Sequence, residues 1–181
     1  MKITLIITTY NWHESLFLVL ESIRHQIIAP NEIIIADDGS DYKTKDLINN
    51  FNRDHELNIL HSWQEDRGFR AARVRNKAIF LSSGEYIILV DGDTILHPSF
   101  VKDHLEIAES GYFVQGTRVL ISELGTQKTL AEKNINFSIF SPNLKNRKNS
   151  IRSKLLSSLF SSKKNHNNGV KSCNMAFYKK D

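Results

Sequence analysis

Only one cysteine, Cys173, occurs in the 181 residues, so neither an internal disulfide framework nor a cysteine-built zinc site can form. That lone thiol reads as a small buried hydrophobe and is compatible with a reducing cytosol. Three prolines and eight glycines are too few for a collagen-like or Pro/Gly-rich disordered chain. No apolar run approaches the length of a membrane span, and the one that opens the chain, within residues 1 to 9, is too short and too β-branched for a signal peptide. Gly-x-x-x-x-Gly-Lys-Ser/Thr, Gly-x-Gly-x-x-Gly and Gly-x-Ser-x-Gly are all absent. Their absence argues against a phosphate-loop NTPase, a dinucleotide dehydrogenase and an α/β-hydrolase, and no His-Glu-x-x-His helix occurs.

The chain is 40% hydrophobic and 24% charged, and long enough for one ordinary core, so a single domain over residues 1–181 is expected. Its net charge of +4 is uneven. Residues 143 to 181 hold ten Lys or Arg against one acid, Asp181, about +9, which leaves about −5 on the remainder. A uniformly basic surface is therefore not expected, and no nucleic acid partner. The tail is instead suited to an anionic lipid or glycolipid surface.

Hydrophobic period sorts the rest into β-α repeats. Strands are expected over residues 3 to 9, 32 to 36, 57 to 61 and 85 to 90. Helices are expected from Glu14 to Pro30, from about Thr44, over 70 to 82, and from Pro98 to about Ser110. Residues 112 to 122 alternate as a longer strand, and residues 170 to 178 read as a returning one. Residues 143–169 form a basic, Asn- and Ser-rich loop insertion whose Leu155, Leu156, Leu159 and Phe160 fit a short amphipathic helix. Four repeats with short connections predict an α/β fold, a Rossmann-like, mostly parallel sheet covered by helices on both faces, with ligands at the strands' carboxyl ends.

The polar clusters lie at those ends. Residues 85 to 93 run from a buried-type strand into Asp91-Gly92-Asp93. Two carboxylates one residue apart suit a hard cation such as Mg²⁺ or Mn²⁺ that keeps positions open for phosphate oxygens. Asp-Gly is also an ordinary turn dipeptide, so the pair alone leaves a solvated turn as the other reading. Thr8, Thr9, Tyr10 and Asn11 offer hydroxyls, a ring and an amide for a base or ribose, or simply a capped strand-helix turn. Asp37-Asp38-Gly39-Ser40 offers a carboxylate able to accept from an imide N–H, or a turn. Arg67, Arg70, Arg73 and Arg75 crowd a predicted helix start, where positive charge opposes the helix dipole and calls for a diphosphate or carboxylate partner. His97 and His104 read as surface or capping histidines, with a metal or phosphate contact as the lesser option. Trp12 and Trp63 read as core or rim packing rather than sugar-stacking platforms.

In order and spacing these blocks resemble family 2 glycosyltransferases of the GT-A fold. The matching stretches are residues 6–11 (Ile-Ile-Thr-Thr-Tyr-Asn), 35–40 (Ile-Ala-Asp-Asp-Gly-Ser), 68–78, 84–93 and 172–177 (Ser-Cys-Asn-Met-Ala-Phe). With residues 111–119 they look similar to bacterial enzymes that build lipopolysaccharide, capsule or related surface glycans. The resemblance implies inverting transfer from a UDP-sugar to a glycan or glycolipid acceptor. It implies Thr8 and Tyr10 beside the base, Asp38 accepting from uracil, Asp66 and Arg75 near the nucleotide and Asp91 near ribose, with Asn11 and Gly92 also among the donor-binding residues. Asp91 and Asp93 would bind Mn²⁺ or Mg²⁺.

The same resemblance implies an acidic pair, carrying the general base, after the strand at 172–178. The sequence ends at Asp181 before one appears, so a truncated domain with its base beyond Asp181 is expected, and no catalytic residue is assigned. The alternative is a non-catalytic nucleotide-sugar-binding module or partner subunit. The expected location is cytoplasmic, with possible peripheral contact at the inner membrane face through residues 145–164.

Overall fold

The computed structural model describes residues 1–55, 57–153 and 170–181. Along the chain these form β1 (Ile3–Thr9), α1 (His13–Arg24), β2 (Glu32–Asp37), α2 (Tyr42–His55), β3 (Ile59–Trp63), α3 (Ala71–Leu81), β4 (Tyr86–Asp91) and α4 (Phe100–Ile107). Then follow β5 (Val114–Gln115), β6 (Leu120–Ile121), α5 (Glu123–Glu132), β7 (Leu144–Lys145), a 3-10 turn (Arg147–Ser150) and β8 (Asn174–Tyr178).

Six strands make one sheet in the order β3-β2-β1-β4-β8-β5, and β6 pairs with β7 outside it. β3, β2, β1 and β4 are mutually parallel; β8 is antiparallel to β4 and to β5. The α/β expectation is thus met in its mostly parallel form. Period-2 alternation divides each central strand between two cores. Ile3, Leu5 and Ile7 of β1, Ile33 and Ile35 of β2 and Ile88 and Val90 of β4 pack against α1, α2 and α4. Ile6, Ile34, Ile87 and Leu89 face the other way, onto Val74 and Ala78 of α3. Each fully buried Ile or Leu contributes roughly 1.5–3 kcal/mol, so these two layers hold the strand ends in place.

Several boundaries differ from expectation for local reasons. α1 stops at Arg24 rather than near Pro30, because Ile27 N–H donates to the carbonyl of Pro98 and the Gln26 side chain bonds the carbonyls of Ser22 and His97. β3 runs two residues later than the apolar run suggests. The Asn52 amide, at the end of α2, bonds both the N–H and the C=O of Ile59 and so fixes where the strand begins. α4 spans Phe100–Ile107 only. The long strand expected over residues 112 to 122 is broken into β5 and β6: Asn174 accepts from Gly116 N–H through its backbone and reaches Thr117 O through its side chain, which takes the chain out of the ladder. β8 starts at Asn174, four residues after the expected start, because residues 172 and 173 turn and Lys171 N–H is held on Gln115 Oε1. α5 has no counterpart in the sequence reading; its Gly, Thr and Gln residues give a weak apolar stripe, and Ser122 capping Gly125 N–H marks its start. The helix expected around Leu155 to Phe160 lies outside the described residues.

His104 corrects another expectation. It is 4% exposed, its ring packed edge-on against Phe100 at 4.7 Å, and Nε2 sits 3.2 Å from Asn174 Oδ1. Burial pushes its pKa down to about 4, so it is a neutral interior group rather than a surface or capping one. His97 stays at the surface, where Nδ1 accepts from Ser99 N–H ahead of α4.

Candidate functional site

β1 lies between β2 and β4, where the strand order reverses, and in such a sheet the ligand crevice lies outside the strands' carboxyl ends. There Thr8 is in register with Asp91, and Thr9 with Asp37. The four loops that follow β1, β2, β3 and β4 and the first turns of α3 line the crevice.

At the β1-β4 junction Arg75, reaching in from α3, donates through Nε to Thr8 Oγ1 at 2.8 Å and through Nη2 to Asp91 Oδ1 at 2.9 Å. One guanidinium thereby ties the ends of two strands to a helix. Gly92 N–H donates to Thr8 O at 2.7 Å, and a Cβ at Gly92 would stand 3.0 Å from that oxygen and 3.1 Å from Thr9 Cβ. This close approach carries the chain past β1 and leaves Asp93 exposed, its carboxylate 3.4 Å from the neighbouring Thr94 hydroxyl.

The β2 loop is held more tightly. Asp37, 0% exposed, accepts through Oδ1 from Gly39 and Ser40 N–H and through Oδ2 from His61 Nε2 at 2.8 Å. Asp38, 4% exposed, accepts from Gln64 Nε2 at 2.5 Å and from Arg70 N–H at 2.7 Å. Its charge therefore sits at the N-terminus of α3 and supplies the carboxylate partner that the arginine-rich helix start calls for. The arginines themselves separate: Arg75 turns inward, Arg67 pairs with Glu65, and Arg70 bonds the Glu65 carbonyl. Gly39 adopts φ +103°, and a Cβ there would lie 2.6 Å from Asp66 Cα, so the β2 and β3 loops touch.

Tyr10 and Asp66 close the rim, the phenol donating to Asp66 Oδ2 at 2.8 Å while Gly68 N–H donates to Oδ1 at 3.0 Å. Chiefly through that Gly68 bond, then through Tyr10, the Asp66 carboxyl is held below the usual range; the hydrogen bond to Asp66, and then its charge, raises the phenol. Asn11, at φ 46°, links the β1 and β2 loops by donating its N–H to Ser40 Oγ and accepting from Asp41 N–H. Trp63 Nε1 donates to Ser40 O, and both Trp63 and Trp12 are partly exposed rim residues.

Thr8, Arg75, Asp91, Gly92 and Asp93 thus form one cluster, and Tyr10, Asn11, Asp38 and Asp66 an adjoining one. His61 and Gln64, which no motif singled out, join the second; it is the pairing of β3 with β2 that lets their side chains bond Asp37 and Asp38. Asp181 is remote. It accepts from Gly111 N–H beyond the end of β8 that pairs with Tyr86, the start of β4.

Among the described residues no three His, Cys, Asp or Glu converge on one point. A cation here would take Asp91 and Asp93 from the protein and complete its shell from phosphate oxygens and water, a ligand set that Mg²⁺ and Mn²⁺ accept. The donor chemistry fits such an ion. A separate hollow of about 230 Å³, lined by Phe17, Leu18, Leu47 and Leu130 among others, shares no residue with this crevice.

Residues 4–181 match the family model described as Glycosyl transferase family 2. EpsH of Bacillus subtilis is 33% identical over 107 residues, 59% of this chain and 30% of that protein. Chondroitin synthase of Escherichia coli is 29% identical over 106 residues, 58% of this chain and 15% of that one. The match spans less than a third of either relative's length. Among solved structures, a mannosyltransferase of Pyrobaculum calidifontis in complex with GDP-mannose and Mn²⁺ superimposes with TM-score 0.56 at 20% identity, covering 65% of this chain and 35% of that one. Glucosyl-3-phosphoglycerate synthase of Mycobacterium tuberculosis, in complex with Mn²⁺, UDP and glucosyl-3-phosphoglycerate, does so with 0.50 at 19%, covering 64% and 43%. At such identities the structural likeness speaks for the fold alone.

Proposed function

The chain belongs to glycosyl transferase family 2, and we propose that it carries the donor site of an enzyme that moves a sugar, with inversion, from a UDP-sugar to a glycan or glycolipid acceptor in bacterial surface-polysaccharide synthesis. The observation that carries this reading is the β1-β4 junction: Arg75 holds Thr8 and Asp91 together while Asp93, two residues on, stays open to solvent. The chondroitin synthase relative and the Mn²⁺-bound, nucleotide-bound structures of like fold support it.

In this reading Tyr10 and Asp66 wall the base, with Thr8 and Asn11 beside the nucleoside. Each Asp38 oxygen already accepts one bond, and a carboxylate oxygen has room for a second donor, which suits the imide N–H of uracil. Asp91 and Gly92 face the ribose side, and Arg75 fixes the Asp91 carboxylate through Oδ1. Asp91 and Asp93 would hold Mn²⁺ or Mg²⁺, whose chemistry when bound is to stabilise the charge that develops on the departing diphosphate. Deprotonation of the acceptor hydroxyl is assigned to none of the described residues.

We also propose a peripheral membrane contact through residues 145–164, of which 154–164 lie outside the described residues. Within the described part Arg152 is engaged in two bonds to Asp103, at 2.8 and 2.7 Å, and Arg147 in two to the carbonyls of Leu144 and Ile139, which leaves Lys145 and Lys148 as the candidate contacts. Among the described residues no helix is long and apolar enough to cross a membrane.

Calorimetric titration of UDP with and without Mn²⁺ tests the donor reading. Metal-dependent binding that weakens by roughly tenfold or more, about 1.4 kcal/mol, in Asp93→Ala is the expected result. Equal binding by folded wild type and variant would remove Asp93 from the metal site.

A further inference from the structure

His61 lies on β3, yet its partner is the fully buried Asp37 at the end of β2. An ionised carboxylate only accepts, so the proton in the 2.8 Å contact belongs to His61 Nε2. The other Asp37 oxygen takes Gly39 N–H at 3.2 Å and Ser40 N–H at 2.8 Å. Ser40 in turn receives Asn11 N–H on its hydroxyl and Trp63 Nε1 on its carbonyl. A continuous set of hydrogen bonds therefore runs from one imidazole through a buried carboxylate to the loop that carries Asp38.

From this connectivity we infer that His61 is a positioning residue for the donor nucleoside, acting through Asp37 to set the loop Asp38-Gly39-Ser40. The inference deepens the donor reading above and rests on it. The reason is directional. With His61 in place, Asp37 Oδ2 is satisfied and Oδ1 is aimed at two successive amides. Without it, a carboxylate oxygen shut away from water has no donor, and the group is driven to rotate toward solvent. That rotation releases Gly39 and Ser40 N–H, and through Ser40 Oγ it loosens the Asn11 corner of the β1 loop. Asp38 itself stays tied to Gln64 and Arg70, so the predicted effect is a misaligned cradle rather than a lost ligand.

Hydrogen exchange and UDP titration in the presence of Mn²⁺ on the full chain, comparing wild type with His61→Leu and His61→Gln, test this. Leu keeps the strand and removes the donor, whereas Gln returns an N–H at similar reach. The expected result is exchange at residues 39 and 40 faster by at least about tenfold in His61→Leu, little change in β1 and β4, a Kd for UDP raised by a similar factor, and recovery of most of both in His61→Gln. Wild-type exchange and affinity in His61→Leu would overturn the inference, as would faster exchange spread evenly over the sheet, which marks a merely structural role. Local loosening in a protein whose wild type binds no UDP would instead overturn the donor reading while leaving the link from His61 to the loop in place.

Discussion

Burial keeps His104 neutral, and this has a calculable pH consequence. Its folded pKa, about 4, lies below the ordinary 6.5, with Asp103 and the Asn174 amide the groups that oppose the shift. The unfolded chain therefore binds the proton first as pH falls. The stability that neutral His104 confers is complete above about pH 6.5 and is lost progressively down to about pH 4, an effect on the order of 3 kcal/mol. Urea titrations at pH 7 and pH 4.5 should show a steeper decline for wild type than for His104→Gln; parallel declines would refute the assignment. Gly39 has a different vulnerability. Its φ of +103° and the 2.6 Å separation between a Cβ and Asp66 Cα predict that Gly39→Ala costs at least about 2 kcal/mol, read as a lower urea midpoint. At this scale the placement of Asp38, Arg75, Asp91 and Asp93 at one end of the sheet was legible because each follows or faces a recognisable strand end. His61 and Gln64 were not, since their meaning arises from pairing with residues 24 and 26 positions earlier.

Helix α3 illustrates how elements are matched to the site. It brings Arg75 to the β1-β4 junction while its N-terminus receives the Asp38 carboxylate, so the same helix that presents a cation takes its compensating anion from β2. The arginine run hinted at an anion there, but sequence alone does not say whether that anion belongs to the protein or to a ligand. At the other end of the β-α repeat, Asn52 pins α2 to β3 with two bonds of 3.0 Å to Ile59. Asn52→Ala strands both backbone groups and should lower stability by about 1–3 kcal/mol in chemical denaturation, whereas Asn50→Ala, on the exposed face, should leave it unchanged within about 0.5 kcal/mol. The elements with strong apolar periods, β1, β2, α3 and β4, were legible to within a residue. α5 and the β5-β6 break were not. The first lacks an apolar stripe, and the second depends on Asn174 intruding from a strand some sixty residues later.

Over the whole molecule order is distributed unevenly, from a fully buried centre at β1, β2 and β4 to two-residue ladders in β5, β6 and β7. Global hydrogen exchange should follow this gradient, with the slowest amides in β1 and β4 and the fastest among the described strands in β6 and β7. Comparable protection in β6 and β1 would contradict it. The parallel half, with Thr8, Asp38, Arg75, Asp91 and Asp93, is complete in sequence by residue 93, whereas the neighbour that β4 requires on its other side arrives only with β8, where Tyr178 meets Tyr86. During synthesis, at roughly 5–20 residues per second, β4 therefore waits about 4–18 s with Ile87 and Leu89 on an unpaired edge. The nascent chain is most open to mispairing at the strand that ends in Asp91, and a chaperone that shields one segment of this protein on the ribosome has its work at β4.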